Sequence, residues 1–292
     1  MKATISGAEF FSINNLFFNI DYITHISLGH GVSYLKSFLY ENNSYYGKMR
    51  YNKILIPPSK LLISTAKKYG WIEDNIIKIN LPRWDKYNES LIENQFNSAN
   101  KSIFIMFTWR QLKKNKVISN DYFNNIRNLI TNKLLIKTII EKNITLYFCF
   151  HHHFKINKLD FNYNKNIEFI KENKISNVLS KVSLAITDFS SIIFDMIYRK
   201  KPFIIYIPDL NETYNKDNYV ENYYRLIKKM VNGKIHFKNK FFNLKKVVKK
   251  IIFYINNNFK LEKSLEKFYK SFDFKKNNGT IRFINYLKHL KI

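Results

Sequence analysis

The strongest constraint on the fold is a recurring unit: a short apolar run, a polar or glycine-containing turn, then a stretch of helical periodicity. Ser102–Phe107, Ile144–Phe150, Ile167–Ile170, Val182–Thr187 and Phe203–Ile207 are such runs, with helical segments over Tyr122–Glu141 and near Ser190–Arg199. Runs this short and this continuously apolar suit strands buried on both faces, and strands separated by helices pair in parallel. The earlier part of the chain repeats the pattern. Ile23–Leu28 and Lys53–Ile56 read as strands, the second stopped by Pro57-Pro58. A helix is expected from Ser59 to Tyr69 with Gly70 as its stop, then a strand at Ile76–Ile79 closed by Pro82. Residues 86–100 are polar and carry no strand pattern, which places a domain boundary there: 1–95 and 96–292. The predicted class is therefore α/β, with two Rossmann-like domains facing a cleft and basic helices from about Asn243 onward. With 29 residues ahead of His30, the N-terminal domain is expected to be a shortened version.

Composition narrows the function classes. Of 292 residues, 46% are hydrophobic and 17% aromatic, enough for packed cores, which excludes wholesale disorder. One cysteine, Cys149, leaves no internal disulfide and no cysteine-rich zinc site. No apolar stretch reaches the roughly 18 residues of a spanning helix, and no signal peptide follows Met1, so a cytoplasmic protein is expected. The net charge is +27, concentrated toward the end: residues 221–292 hold 19 Lys or Arg against 4 Asp or Glu. Such a field draws polyanions, including anionic lipid surfaces and phosphate polymers, although a Lys-rich composition alone would produce much of it. No nucleic-acid-binding module is present, and a nucleic-acid partner is not expected.

In open parallel sheets ligands bind beyond the carboxyl ends of the strands, so the residues there carry the functional reading. His30 lies between Gly29 and Gly31, where the missing side chains allow close approach to a base or phosphate donor. Thr108 and Arg110 follow the strand Ser102–Phe107, and an Arg fork beside a hydroxyl matches a phosphate; a surface Arg stacked on Trp109 is the plainer reading. His151, His152 and His153 follow Ile144–Phe150. Adjacent residues of an extended chain point to alternate sides, so the three do not converge on one ion, and no protein-bound metal is expected. Thr187-Asp188-Phe189-Ser190-Ser191 joins a strand to a helix. Asp188 is expected to cap that helix, with Ser190 and Ser191 in its first turn and Asp195 further along, a ready anion site that an ordinary N-cap would equally produce. Walker and Gly-x-Gly-x-x-Gly patterns are absent. Two histidines, an arginine and a helix start at strand ends are what transfer from a nucleotide-diphosphate donor requires.

These residues, taken in order, resemble the CDP-glycerol glycerophosphotransferases. The resemblance runs through His30-Gly31, Leu81-Pro82-Arg83-Trp84-Asp85, Phe107-Thr108-Trp109-Arg110, the histidine cluster at 151 and Thr187 to Ser191 with Asp195. Lys201-Pro202, Tyr206-Ile207-Pro208-Asp209 and Asn278-Gly279-Thr280 extend it, so that it covers roughly residues 24 to 285. It implies a GT-B-type fold with the donor held mainly by the C-terminal domain. It implies transfer of glycerol phosphate from CDP-glycerol to a hydroxyl of a teichoic-acid-like or capsular polymer, or of a glycan or lipid-linked precursor, with release of CMP and no cofactor. His30 and His151 would be catalytic, with His152 as the alternative for the second. Arg110, Thr108, Asp188, Ser190, Ser191 and Asp195 would face the donor, and Arg83 and Asp209 would serve phosphate binding or structure. The resemblance also implies attachment to the cytosolic membrane face, which the basic C-terminal region suits. The rival readings are a CDP-ribitol or nucleotide-sugar transferase of the same architecture, and a truncated protein that binds membrane or polyanions without catalysis.

Overall fold

A computed structural model describes residues 2–6, 23–28, 52–68, 70–88, 101–108, 110, 120–149, 165–209 and 239–290. Within it the short apolar runs form two separate, fully parallel sheets. The chain divides into two compact units, Met1–Glu89 with Lys267–Ile292, and Ser90–Glu266. The boundary near residue 90 falls inside the polar segment expected to hold it. The C-terminal assignment is corrected: the last helical stretch belongs to the first unit, where residues 80–85 anchor it.

The first unit carries β1 (Lys2–Ser6), β2 (Ile23–Ser27), β3 (Asn52–Leu55) and β4 (Ile76–Ile77) in that spatial order. β1, which the sequence reading did not anticipate, pairs with β2 from Lys2 opposite Ile23 to Ser6 opposite Ser27. Between β3 and β4 lies α1 (Lys60–Lys68), which buries Leu62 and Ala66, one turn apart on one face. Lys67 and Lys68 in its last turn complement the carbonyl end of the helix dipole. Gly70 ends it as expected: at φ 92° it donates its N–H to Lys67 O, while Trp71 N–H reaches back to Ala66 O. That pair of bonds needs a left-handed residue between them, which glycine adopts without strain.

The second unit contains β5 (Ser102–Met106), α2 (Asn120–Ile130), α3 (Lys133–Glu141), β6 (Thr145–Cys149), β7 (Ile167–Phe169) and α4 (Ile175–Leu179). It continues with β8 (Leu184–Thr187), α5 (Ile192–Tyr198), β9 (Phe203–Tyr206), β10 (Lys240–Phe241) and α6 (Leu244–Asn256). The helical region over Tyr122–Glu141 is two helices, since Asn132 breaks it and accepts a hydrogen bond from Leu135 N–H at 3.1 Å as the cap of α3. The sheet runs β10-β9-β8-β5-β6-β7. From β5 the chain moves outward through β6 and β7, then returns to the other side of β5 and moves outward again. This is the Rossmann order, and its reversal lies between β5 and β8. Those two strands are buried throughout, as is β9. Ile103, Phe104, Ile105, Leu184 and Ile186 are fully enclosed, and each such aliphatic or aromatic side chain contributes about 1.5–3 kcal/mol. α5 is buried on all sides, Asp195 included. Lys200, at φ 55°, and Lys201 close it with bonds back to Ile197 O and Met196 O, and Pro202 then prevents its continuation.

The end of the chain returns to the first unit through α8 (Gly279–His289), preceded by α7 (Lys263–Lys270), which begins in the second unit. Asp85 accepts from Gly279 N–H at 2.7 Å and Thr280 N–H at 2.8 Å, and Asn278 accepts from Ile281 N–H at 2.8 Å. Three of the unsatisfied amides at the start of α8 are thus met by side-chain oxygens. Asn80 Nδ2 donates to Lys275 O at 2.6 Å, and the Trp84 and Phe274 rings meet at 5.0 Å. A Cβ on Gly279 would lie 2.5 Å from Asn80 O, so only glycine permits this approach.

Candidate functional site

The reversal of strand order marks where such a sheet opens to a ligand, and several of the expected site residues stand beside it. Thr108 and Arg110 follow β5, Asp188 to Ser191 follow β8, and Asp209 follows β9. A buried ionic cluster joins all three strand ends. Arg110 Nε donates to Asp209 Oδ2 at 2.7 Å and Nη2 to Asp209 Oδ1 at 2.8 Å, a two-pronged pairing. Its Nη1 donates to Asp188 Oδ2 and, at 3.1 Å, to Thr108 O. The other oxygen of Asp188 accepts from Thr108 N–H at 2.9 Å, the Thr108 hydroxyl at 2.9 Å and Phe189 N–H at 2.7 Å. The guanidinium also meets the Tyr122 ring at 4.5 Å and the Phe189 ring at 5.4 Å.

This geometry corrects four expectations. Arg110 does not present its fork outward: the residue is 0% exposed and its nitrogens serve Asp188, Asp209 and Thr108. Nor does Asp188 cap α5. Its carboxylate turns inward, and the residue at the cap position is Ser191, which makes no side-chain capping bond. Ser190 and Ser191 therefore precede the helix rather than sit in its first turn, with Ser190 Oγ accepting from Ile192 N–H at 3.4 Å. Asp195 is buried within α5, its backbone carbonyl taking Arg199 N–H, and faces no open surface. For the arginine and its carboxylates the physical reason is range: the partners lie 78 and 99 residues apart in the chain, and only folding shows that the charges have already found each other.

What remains at the strand ends is a half-buried Thr108, a half-buried Ser191 and the nearly buried Ser190, on a turn whose backbone is pinned from beneath. The same cluster shapes its neighbours. Burial, and then the nearby Asp209 carboxylate, push the Tyr206 hydroxyl up to about 12, so it stays a neutral hydrogen-bonding group at ordinary pH. Asn125 Nδ2 donates to Pro208 O at 2.8 Å and ties α2 to the segment that carries Asp209. Burial likewise pushes the Cys149 thiol up to about 12, with Glu172 adding to it, so it is no nucleophile. Tyr122 and Asn125 were not singled out in the sequence, where they read only as the start of a helix. Arg83 is half-buried in the Pro82–Trp84 turn of the first unit, two positions before Asp85 in the chain. His30, His151, His152, His153 and Trp109 lie outside the described residues.

The family model described as CDP-glycerol:poly(glycerophosphate) glycerophosphotransferase matches residues 5–282. The minor teichoic acid biosynthesis protein GgaB of Bacillus subtilis (strain 168) is 27% identical over 255 residues, 76% of this chain and 26% of that protein. The chain thus spans about a quarter of the length of this relative. Among solved structures, the wall teichoic acid polymerase TagF superposes with a TM-score of 0.51 at 18% identity, covering 92% of this chain and 68% of that one. A histidine variant of TagF soaked with CDPG superposes with a TM-score of 0.53, also at 18% identity, over 99% of this chain and 72% of that one. At such identity the likeness concerns architecture, and the fold is of the GT-B type, as expected.

Proposed function

The chain belongs to the CDP-glycerol:poly(glycerophosphate) glycerophosphotransferase family, and on that premise we propose that it moves glycerol phosphate from CDP-glycerol to a hydroxyl of a teichoic-acid-like or capsular polymer or its lipid-linked precursor. The match across residues 5–282 carries this reading, and the pinned turn at the strand-order reversal of the second unit is consistent with it. The acceptor oxygen attacks the phosphorus that bears the glycerol. The bond from that phosphorus to the bridging oxygen breaks, and CMP leaves with that oxygen. His30 takes the hydroxyl proton, and His151, or His152 in its stead, offsets charge on the departing phosphate. Ser190 and Ser191, through their hydroxyls and backbone amides, hold the diphosphate, whereas the N–H and hydroxyl of Thr108 are both committed to Asp188 and place Thr108 in support of the turn. Arg83 remains a candidate phosphate contact of the first unit. No step runs through a protein-held metal, so a chelator should leave the rate unchanged.

The test is release of CMP by the purified chain from CDP-glycerol in the presence of a polyol-phosphate acceptor. His30→Ala should abolish most of that release; an unchanged rate removes His30 from the mechanism. CDP-ribitol and nucleotide sugars serve as competing donors, and only the true donor should raise the melting temperature.

We also assign the basic C-terminal quarter to an anionic membrane surface on the cytosolic side. On α8, Ile281 and Ile284 are 56% and 46% exposed, with Arg282 and Lys288 also exposed and no acidic residue along the helix. No helix of the described residues is long and apolar enough to cross a membrane. Binding to anionic but not neutral vesicles, weakened by salt and by Ile281→Ser with Ile284→Ser, is the expected result.

A further inference from the structure

We propose that Arg110 and Asp209 are positioning residues for the donor site: clamped together beneath it, they fix the turn Asp188 to Ser191 without touching the donor. This rests on the functional reading above and assigns to these two residues a role distinct from ligand contact.

Arg110 and Asp188 are 0% exposed, and Asp209 4%. A buried cation is tolerated only where its donors are met, and here one guanidinium bridges two carboxylates on two different strand ends. The pairing to Asp209 uses both oxygens of that carboxylate, which fixes the plane of the guanidinium. That plane in turn sets the rotamer of Asp188 through Nη1. Asp188 then orients two peptides with its second oxygen, those carrying Thr108 N–H and Phe189 N–H. Those groups lie just past β5 and β8, on the two sides of the strand-order reversal. The chain of constraint runs from Asp209 through Arg110 and Asp188 to the backbone that leads into Ser190 and Ser191. Tyr122 and Phe189 pack their rings against the guanidinium, so the clamp has little room to shift. A lysine could serve one carboxylate but could not span both in two-pronged geometry.

The experiment compares wild type with Asp209→Asn and Arg110→Lys, and with Asp209→Glu should the first variant fail to fold. Amide hydrogen exchange of Phe189 to Ser191 is read without donor, and CMP release is read as a function of CDP-glycerol concentration. Exchange in the turn should rise about tenfold or more, with protection in β6 and β7 unchanged. The KM for CDP-glycerol should rise about tenfold while kcat at saturating donor stays within about twofold. Unchanged exchange at the turn overturns the positioning role, whether or not the protein acts on CDP-glycerol. A fall in kcat with KM unchanged also overturns it, since that would put the guanidinium at the reacting centre. Should wild type release no CMP and gain no stability from CDP-glycerol, the functional reading fails by itself, and the exchange measurement still decides whether the clamp orders the turn.

Discussion

Two carboxylates, Asp85 in the first unit and Asp188 in the second, act alike in one respect, since each accepts at least one backbone amide from a segment distant in sequence. Their surroundings differ. Asp85 is half-buried and bonds to the uncharged start of α8, where the helix dipole favours it and water can replace it. Asp188 is fully enclosed and shares Arg110 with Asp209, so no solvent can substitute for a lost partner. The first arrangement is a dock for the end of the chain, built from modest increments. The second is a closed ionic assembly whose members depend on one another, and it lies where the fold places ligands.

The enclosed carboxylate should be the more fragile of the two. Arg110→Met leaves two carboxylates buried without their shared cation, and the second unit should lose about 3–5 kcal/mol in denaturant unfolding. A loss below about 1 kcal/mol would mean the cluster is wet or rearranges. Next comes Gly279→Ala, whose added carbon meets Asn80 O at 2.5 Å. The dock must open, and a cost of about 1–3 kcal/mol is expected, visible as exposure of Trp84 by fluorescence. Asp85→Ala should cost less, about 1 kcal/mol, since it removes a half-exposed cap and water takes its place. If Asp85→Ala proves as damaging as Arg110→Met, exposure is not what separates the two carboxylates.

Glu262 supplies an intermediate case with the smallest effect. Burial pushes its carboxyl up, but hydrogen bonds from Lys250 Nζ, at 2.8 Å, and from the Tyr254 hydroxyl outweigh that and hold it below the usual range. A lowered native value means the unfolded chain takes up the proton first. The stabilisation is therefore present above the unfolded pKa of about 4.3 and is lost as pH falls through the native value. Between about pH 5 and about pH 3 the melting temperature of wild type should fall more steeply than that of Glu262→Gln. Parallel curves would show that the Lys250 pairing is screened away at this half-buried position.

Legibility in the sequence varied with the range of the interaction. Gly70 acts within a few residues, and the helix end it produces was legible from local stereochemistry; Asn132, equally local in its action, is masked because the apolar periodicity continues on both sides of it. The strands Ser102–Met106 and Leu184–Thr187 were legible because burial on both faces leaves an unbroken apolar run. β10, two half-buried residues long, leaves almost no pattern, and β1 stands ahead of any recognisable turn. At the site, the residue types were visible but their directions were not. An arginine after a strand reads equally as a phosphate fork or as half of an ion pair, and the answer depends on Asp209, 99 residues away.

From residue order alone came the parallel α/β class, the two-unit division, the family and the set of strand-end residues worth examining. Those rest on local periodicity and on motif order, which need no coordinates. Folding settled which of those residues face inward: it buried Arg110, Asp188, Asp195 and Asp209 and left Thr108 and Ser191 half-exposed. It also brought Asp85 to Gly279 and so returned the last helix to the first unit. Burial and pairing of charge are properties of distance in space, and a chain acquires those distances only when it closes on itself.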